Sequence, residues 1–203
     1  MEILVASFNE KKVEELKPLF PQHRLYSPAE LGISEFYIDE NGSDYIQNAL
    51  IKARAHFART PMPILADDSG LCVRALDGAP GINSARFGST LQGDRLTSAE
   101  RNALLLKTMR GIEDRACAFV CSLVLLFEVD RFISVQETCP GYLALEPSGV
   151  GGFGYDPIVF LPELGRTVAE LSSEEKAAVS HRGKASTTLN RILDSLRSVT
   201  KLV

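Results

Sequence analysis

Three features of the sequence predict an α/β fold built on a mixed β-sheet with flanking helices. The apolar run Ile3 to Ala6 is followed closely by Val13, Leu16 and Leu19 at helical spacing, which reads as strand, loop, helix. Ile64-Leu65-Ala66 forms a second buried strand, preceded by a long amphipathic segment. The β-rich runs Ala116 to Val129 and Phe132 to Glu137, joined through Asp130-Arg131, have the form of a long antiparallel hairpin added to the earlier parallel elements.

The chain has 203 residues, 45% of them hydrophobic, enough for a substantial core in one compact unit of at most two lobes. Its formal net charge of −4 argues against nucleic acid or an anionic membrane as a partner, since both demand a basic field. Any recognition of phosphate must therefore be local. Cys72, Cys117, Cys121 and Cys139 show no C-x-x-C spacing, so reduced, mostly buried thiols are expected rather than a zinc or redox site. The opening MEILVASFNEKK lacks the basic start and long apolar core of a secretory signal. Ala116 to Phe127 falls short of the roughly 18 apolar residues of a membrane span, and a cytoplasmic protein is the expectation.

In chain order, Asn9 stands at the N-cap position of the first helix. The loop Ser7-Phe8-Asn9 can thus present amides to an anion, with Lys11 or Lys12 adding charge, although a first-turn lysine is commonly just solvated. Pro21 to Gly32 reads as an irregular connection, Glu35 to Asp39 as a strand, and Glu40-Asn41-Gly42 as a turn. A helix is predicted from about Asp44 to Ala58, with Ile46, Ala49, Leu50, Ala53 and Phe57 on one face. Thr97-Ser-Ala-Glu100 is a capping box opening a helix that closes at Gly111, and Ser172-Ser-Glu-Glu175 is another. A strand is read at Ile158 to Leu161. A last helix follows Ser180-His181-Arg182 and buries Leu189, Ile192, Leu193 and Leu196.

The chemistry gathers on Ile64 to Gly88, where a buried strand leaves regular structure at a glycine-rich loop. Asp67 and Asp68 are adjacent carboxylates that repel one another unless a cation or a shared proton offsets the charge. Ser69-Gly70, the turn Gly78-Ala-Pro-Gly81 and then Ser84-Ala-Arg86 complete an acid, turn and arginine pattern that suits polyphosphate, although an isolated Asp-Asp pair is more often a solvated strand end. Glu40 and Lys52 could be aimed at the same cleft, or could be an ordinary turn residue and surface lysine. In Ser148 to Pro157 the glycines surround Phe153, followed by Tyr155 and Asp156. Phe153 or Tyr155 could stack on a base, worth about 1 to 3 kcal/mol, or Phe153 could lie in the core of a bulged strand entry.

Five stretches in order resemble the inosine triphosphate pyrophosphatase family: Ser7-Phe-Asn9 with Lys12; Glu40-x-Gly42 with Asn48-Ala and Lys52-Ala; Ala66-Asp-Asp-Ser-Gly-Leu71 with Pro80-Gly and Ser84-Ala-Arg86; Gly151-Gly-Phe-Gly-Tyr-Asp-Pro157; and Lys176 with Ser180-His-Arg182. Phe8 departs from the family's usual small residue, and Asn83 from an aromatic or apolar one. The resemblance implies a long twisted mixed sheet whose two lobes enclose a central substrate cleft, a homodimer, and magnesium-dependent hydrolysis of ITP, dITP and XTP to monophosphate and pyrophosphate. It implies Asp68 as general base and metal ligand, Glu40 as a second ligand and Asp67 in support. Ser7, Phe8, Asn9, Glu10, Lys11, Lys12 and Lys52 would hold the triphosphate, and Ser69 would touch substrate. Phe153, Gly154, Tyr155, Asp156, Lys176, His181 and Arg182 would bind the nucleoside end.

These residue types are coherent with that chemistry. A triphosphate needs a hard cation on carboxylate oxygens plus lysines for the remaining charge, and a carboxylate can take the proton of the attacking water. A cationic donor at His181 or Arg182 would prefer a 6-oxo purine to adenine, whose amino group leaves it unpaired. The same phosphate apparatus would also serve a pyrophosphatase for modified pyrimidines, and similar loops could belong to a non-catalytic nucleotide-binding module.

Overall fold

The structure, a computed structural model, describes residues 1–89 and 96–200, with side chains of the last helix to residue 196. The elements in order are β1 (Glu2–Val5), α1 (Glu10–Leu16), β2 (Arg24–Tyr26), α2 (Tyr45–Phe57), β3 (Ile64–Val73), α3 (Ser98–Thr108), β4 (Ala116–Glu128), β5 (Arg131–Leu143), β6 (Val159–Leu161), β7 (Arg166–Thr167), α4 (Ser173–Val179) and α5 (His181–Thr200). The strands form one seven-stranded open sheet of order β2-β1-β3-β4-β5-β6-β7. It is mixed as expected: β1 runs parallel to β2 and β3, while β5, β6 and β7 pair antiparallel. The turn between β4 and β5 is Val129-Asp130, a link short enough only for antiparallel neighbours. No described helix is long and apolar enough to cross a membrane.

The chain divides into two compact units. The first comprises Met1–Asp68, Cys121–Glu137 and His181–Val203, the second Ser69–Val120 and Thr138–Ser180, so β3, β4 and β5 contribute to both. In the first unit the period-two alternation of its strands sorts side chains onto two faces. Ile3, Val5, Leu65, Cys121, Leu123 and Leu125 pack with Val13 and Leu16 of α1 and with Ala185, Leu189 and Leu193 of α5. Leu4, Ala6, Ile64, Ala66, Val124 and Leu126 pack with Ala49 and Ala53 of α2. Both faces of these strands are covered, which is why their sequences read as continuous apolar runs. The second unit has its own core, in which Leu71 and Val73 of β3 meet Leu105 and Met109 beside α3's end, Phe119, Tyr155, Ile158 and Val159.

The helix caps follow the sequence. Asn9 caps α1, Asp44 caps α2, and the boxes Thr97 with Glu100 and Ser172 with Glu175 close as expected. A further box, Thr167 with Glu170, opens a short turn after β7. The four cysteines are free, with Cys72 half-buried and the others buried.

Elsewhere the structure corrects the sequence reading. The strand expected at Glu35 to Asp39 is irregular backbone, and β2 lies instead at Arg24–Tyr26 inside the stretch read as an irregular connection. β3 does not end at the carboxylate pair but runs on through Ser69 and Gly70 to Val73. Leu196, expected to be buried, is 49% exposed, because the apolar face of α5 ends at Leu193.

Candidate active site

The strand alternation explains how Asp67 and Asp68 can be neighbours. Because β3 continues through them, their side chains leave opposite faces of the strand, Asp67 on the face covered by α1 and α5 and Asp68 on that covered by α2. Each meets its own cations, so the repulsion anticipated for adjacent carboxylates is relieved by geometry and by counter-charge.

On the first face, Asp67 is fully enclosed. Its Oδ1 accepts from Lys12 Nζ at 2.6 Å, and its Oδ2 accepts from Arg182 Nε at 2.8 Å and from the Cys121 thiol at 3.3 Å. Arg182, equally buried, donates through Nη1 to Glu15 Oε2 at 2.6 Å. Burial alone would push the Asp67 carboxyl up, but the charges of Arg182 and Lys12 overcome it and hold this group well below the ordinary carboxylate range. Burial, with Asp67 adding to it, pushes the Cys121 thiol well above its usual value, so it is an unreactive donor.

On the opposite face, Lys52, about two turns into α2, links two carboxylates: Nζ donates to Asp68 Oδ1 at 2.5 Å and to Glu40 Oε2 at 2.9 Å. Burial opposes the ammonium, but Asp68 and Glu40 together raise Lys52 above its ordinary value. For Asp68 burial wins: the carboxyl is raised despite Lys52, with Lys12 also acting on it. Asp68 Oδ2 is buried and has no hydrogen-bond partner, a costly arrangement unless something else is meant to bind there. Glu40 is brought in by an irregular segment that closes on α2, where Gly42 N donates to Asn48 Oδ1 at 2.9 Å. A Cβ at Gly42 would lie 2.8 Å from both Asn48 Oδ1 and Gln47 Cβ, so glycine is required for that approach.

The remaining phosphate-loop residues divide. Ser7 Oγ accepts from Asn9 N at 3.2 Å, and Asn9 Oδ1 accepts from Lys12 N at 3.4 Å. The Phe8 ring packs on Phe36 and His56, both at 5.5 Å. Glu10 and Lys11 are exposed, and Lys12 rather than Lys11 is the lysine that meets the carboxylates.

In the second unit, Asp156 organises the nucleoside-side candidates. Its Oδ2 accepts from Lys176 Nζ at 2.6 Å and from Phe153 N at 2.7 Å, and Lys176 Nζ stands 5.0 Å from the centre of the half-buried Phe153 ring. Gly154 O accepts from Asn102 Nδ2 at 3.0 Å. Tyr155 belongs to the core, its hydroxyl donating to Ser84 O at 2.9 Å. Ser69 is half-buried on β3, and Arg86 is exposed with Asn83 Oδ1 at 3.5 Å. His181 is buried at the start of α5, in the first unit with Arg182, whose guanidinium is bonded to Asp67 and Glu15.

Sequence reasoning missed Glu15 and Cys121. Glu15 lies three residues after Lys12 and so shares its helix face, a signal that could have found it; Cys121 sits in an apolar strand and carries no such mark.

The donor set can be tested against a cation. Among the described residues no group of three or more His, Cys, Asp or Glu side chains is assembled as a metal cage. The donors present suit instead a divalent cation held by few protein oxygens and completed by water or phosphate, with Asp68 Oδ2 and the Glu40 carboxylate as the available donors. The Asp67 oxygens already bind Lys12, Arg182 and Cys121.

Comparison with known proteins shows the family to which the chain belongs. A protein of Treponema denticola named dITP/XTP pyrophosphatase is 46% identical over 193 residues, covering 95% of this chain and 98% of its own length. One of the same name from Escherichia coli is 41% identical over 200 residues, covering 97% and 98%. A solved HAM1 protein from Coxiella burnetii superposes with a TM-score of 0.85 at 36% identity, covering 96% of this chain and 99% of that one. The Ham1 family model matches residues 3–192, and with relatives this similar over nearly their whole length, the chain belongs to the Ham1 family.

Proposed function

We propose that the chain hydrolyses non-standard purine nucleoside triphosphates, ITP, dITP and XTP, to the monophosphate and pyrophosphate, and so keeps such bases out of DNA and RNA. The observation that carries this reading is the buried, unpartnered Asp68 Oδ2 beside Lys52 and Glu40, an acceptor waiting for a proton or a cation. The relatives' shared name, dITP/XTP pyrophosphatase, supports the substrate class.

In the mechanism this supports, Asp68 takes a proton from a water molecule as that water's oxygen forms a bond to the α-phosphorus. The bond from that phosphorus to the bridging oxygen breaks, and pyrophosphate leaves with the bonding pair. The buried Asp68 Oδ2, which has no hydrogen-bond partner, is the oxygen placed to take that proton. Magnesium, held by Asp68 and Glu40, would supply charge for the phosphate oxygens and the leaving group. Lys52 keeps its proton between two carboxylates and adds fixed positive charge, as does Lys12. Asp67 holds Lys12 and Arg182 in place. Ser7 to Lys11 line the phosphate loop and Ser69 contacts substrate.

The nucleoside end is assigned to Phe153 to Asp156, Lys176, His181 and Arg182. Asp156 orients Lys176 over the Phe153 ring, and a 6-oxo purine offers an acceptor to such cationic donors where adenine offers an amino group. The chain acts as a single catalytic domain, in a cytoplasmic homodimer.

A panel of triphosphates, with phosphate and pyrophosphate assayed separately, tests the reading. Magnesium-dependent pyrophosphate release is expected from ITP, dITP and XTP well above ATP. Preference for modified pyrimidines would overturn the substrate class, and tight ITP binding without pyrophosphate release would overturn catalysis.

A further inference from the structure

Glu40 lies in a stretch, residues 33–42, that carries neither helix nor strand, yet its carboxylate must stand beside Lys52 for the site to form. Downstream, the Gly42 to Asn48 contact fixes the stretch to α2 two residues after Glu40. Upstream, the structure provides a second anchor that no role described so far explains. Phe36 is half-buried, its ring 4.9 Å from His56 and 5.5 Å from Phe8, and the Arg59 guanidinium lies 3.5 Å from its centre. His56 lies in the last turn of α2, one turn beyond Lys52, and Arg59 stands just past the helix, after its C-cap Ala58. The neighbouring Tyr37 is 86% exposed, so Phe36 is the aromatic of the pair that docks.

We propose that Phe36 is a positioning residue for Glu40: docked between His56, Phe8 and Arg59, it fixes the upstream end of the stretch so that the Glu40 carboxylate is held beside Lys52 and Asp68 for the cation. The chemistry of the cluster supports a rigid anchor. His56 Nδ1 lies 3.0 Å from Lys52 O, which can only accept, so Nδ1 carries the proton and the ring plane is set by the backbone of the residue that bonds Glu40. Burial holds His56 below its ordinary value, so the ring is neutral at neutral pH and does not repel Arg59. The Arg59 guanidinium over the Phe36 face adds a cation–π attraction that holds the ring in place. The contact with Phe8 extends the anchor to the loop preceding Lys12, so one aromatic cluster sets the origin of three segments carrying Lys12, Glu40 and Lys52.

The proposal rests on the pyrophosphatase reading, and its test separates the two. Pyrophosphate release from ITP is titrated with magnesium for the unaltered chain, Phe36→Ala, Phe36→Tyr, Glu40→Gln and the Phe36→Ala/Glu40→Gln double variant, and amide hydrogen exchange is followed across residues 34–42. Phe36→Ala should raise the half-saturating magnesium concentration about tenfold or more, with kcat restored at saturating metal, and should speed exchange across the stretch. Phe36→Tyr, which keeps the ring, should resemble the unaltered chain. The double variant should need no more magnesium than Glu40→Gln alone, because both changes remove the same carboxylate from the metal. Should Phe36→Ala unfold, Arg59→Met, which uncaps the ring and leaves it in place, should shift both readouts in the same direction by less. Additive magnesium shifts, or unchanged exchange in Phe36→Ala, would overturn the proposal. No pyrophosphate release by the unaltered chain would instead overturn the function, leaving the anchor to be judged by exchange alone.

Discussion

At the residue scale, two adjacent aspartates are given opposite environments. Asp68 is a buried carboxylate with raised proton affinity and a free oxygen, so Asp68→Asn should reduce kcat by about 10² to 10⁴ while leaving the Kd for ITP little changed, checked by steady-state kinetics and direct binding. Asp67 is a buried ion held by Arg182 and Lys12, and its role is charge placement. Arg182→Ala strands that carboxylate and should destabilise the protein by about 3 to 5 kcal/mol in chemical denaturation. The pH dependence follows in sign. A carboxyl held below its unfolded value contributes stability that is fully present above that value, about 3.9, and is lost as pH falls through the lower folded value. The stability difference between the unaltered chain and Asp67→Asn, measured by denaturation at pH 7 and then stepwise below pH 4, should therefore shrink on acidification. A difference independent of pH would show that the Asp67 charge is not what stabilises.

At the element scale, strand alternation and close backbone approach place the site. Gly152 has φ +67°, and a Cβ there would come within 2.1 Å of Asp156 Oδ2. Gly152→Ala should push Asp156 from Phe153 N and Lys176, raising KM for ITP while changing kcat much less; equal loss in both would contradict a binding role. What the sequence made legible here was what local chemistry dictates: the Asn9 and Asp44 caps, the boxes at Thr97 and Ser172, and the apolar faces of α1 and α2. Misread stretches were those decided by distant partners. Arg24–Tyr26 is a strand because Leu25 pairs with Ile3 of β1, and three residues are too few to show a period. Glu35 to Asp39 has strand-like composition, yet its docking is through one ring, Phe36, onto α2. Ser69-Gly70 resembled a loop but lies within β3, buried or half-buried along its length. The site's residue types and Glu40-Lys52-Asp68 grouping were legible; the assignment of Asp67 and Arg182 to the other face was not, because it depends on how far β3 runs.

At the scale of the whole molecule, one unit presents Lys12, Glu40, Lys52 and Asp68 on helices and strands with cores on both faces, and the other presents Phe153, Asp156 and Lys176 on its own core. Rigid elements thus carry the groups proposed to act on phosphate, with the Glu40 stretch the exception that needs separate anchors. The fold supplies buried positive charge and an unpartnered Asp68 oxygen in advance, and in the proposed reaction little rearrangement would be needed as charge develops on the leaving group. Attack of an Asp68-activated water on the α-phosphorus can be tested by hydrolysing ITP in ¹⁸O-labelled water and locating the label by mass spectrometry. Attack at the α-phosphorus puts one ¹⁸O in the phosphate of the monophosphate and none in the pyrophosphate. Label in the pyrophosphate, or release of the diphosphate and orthophosphate, would contradict it.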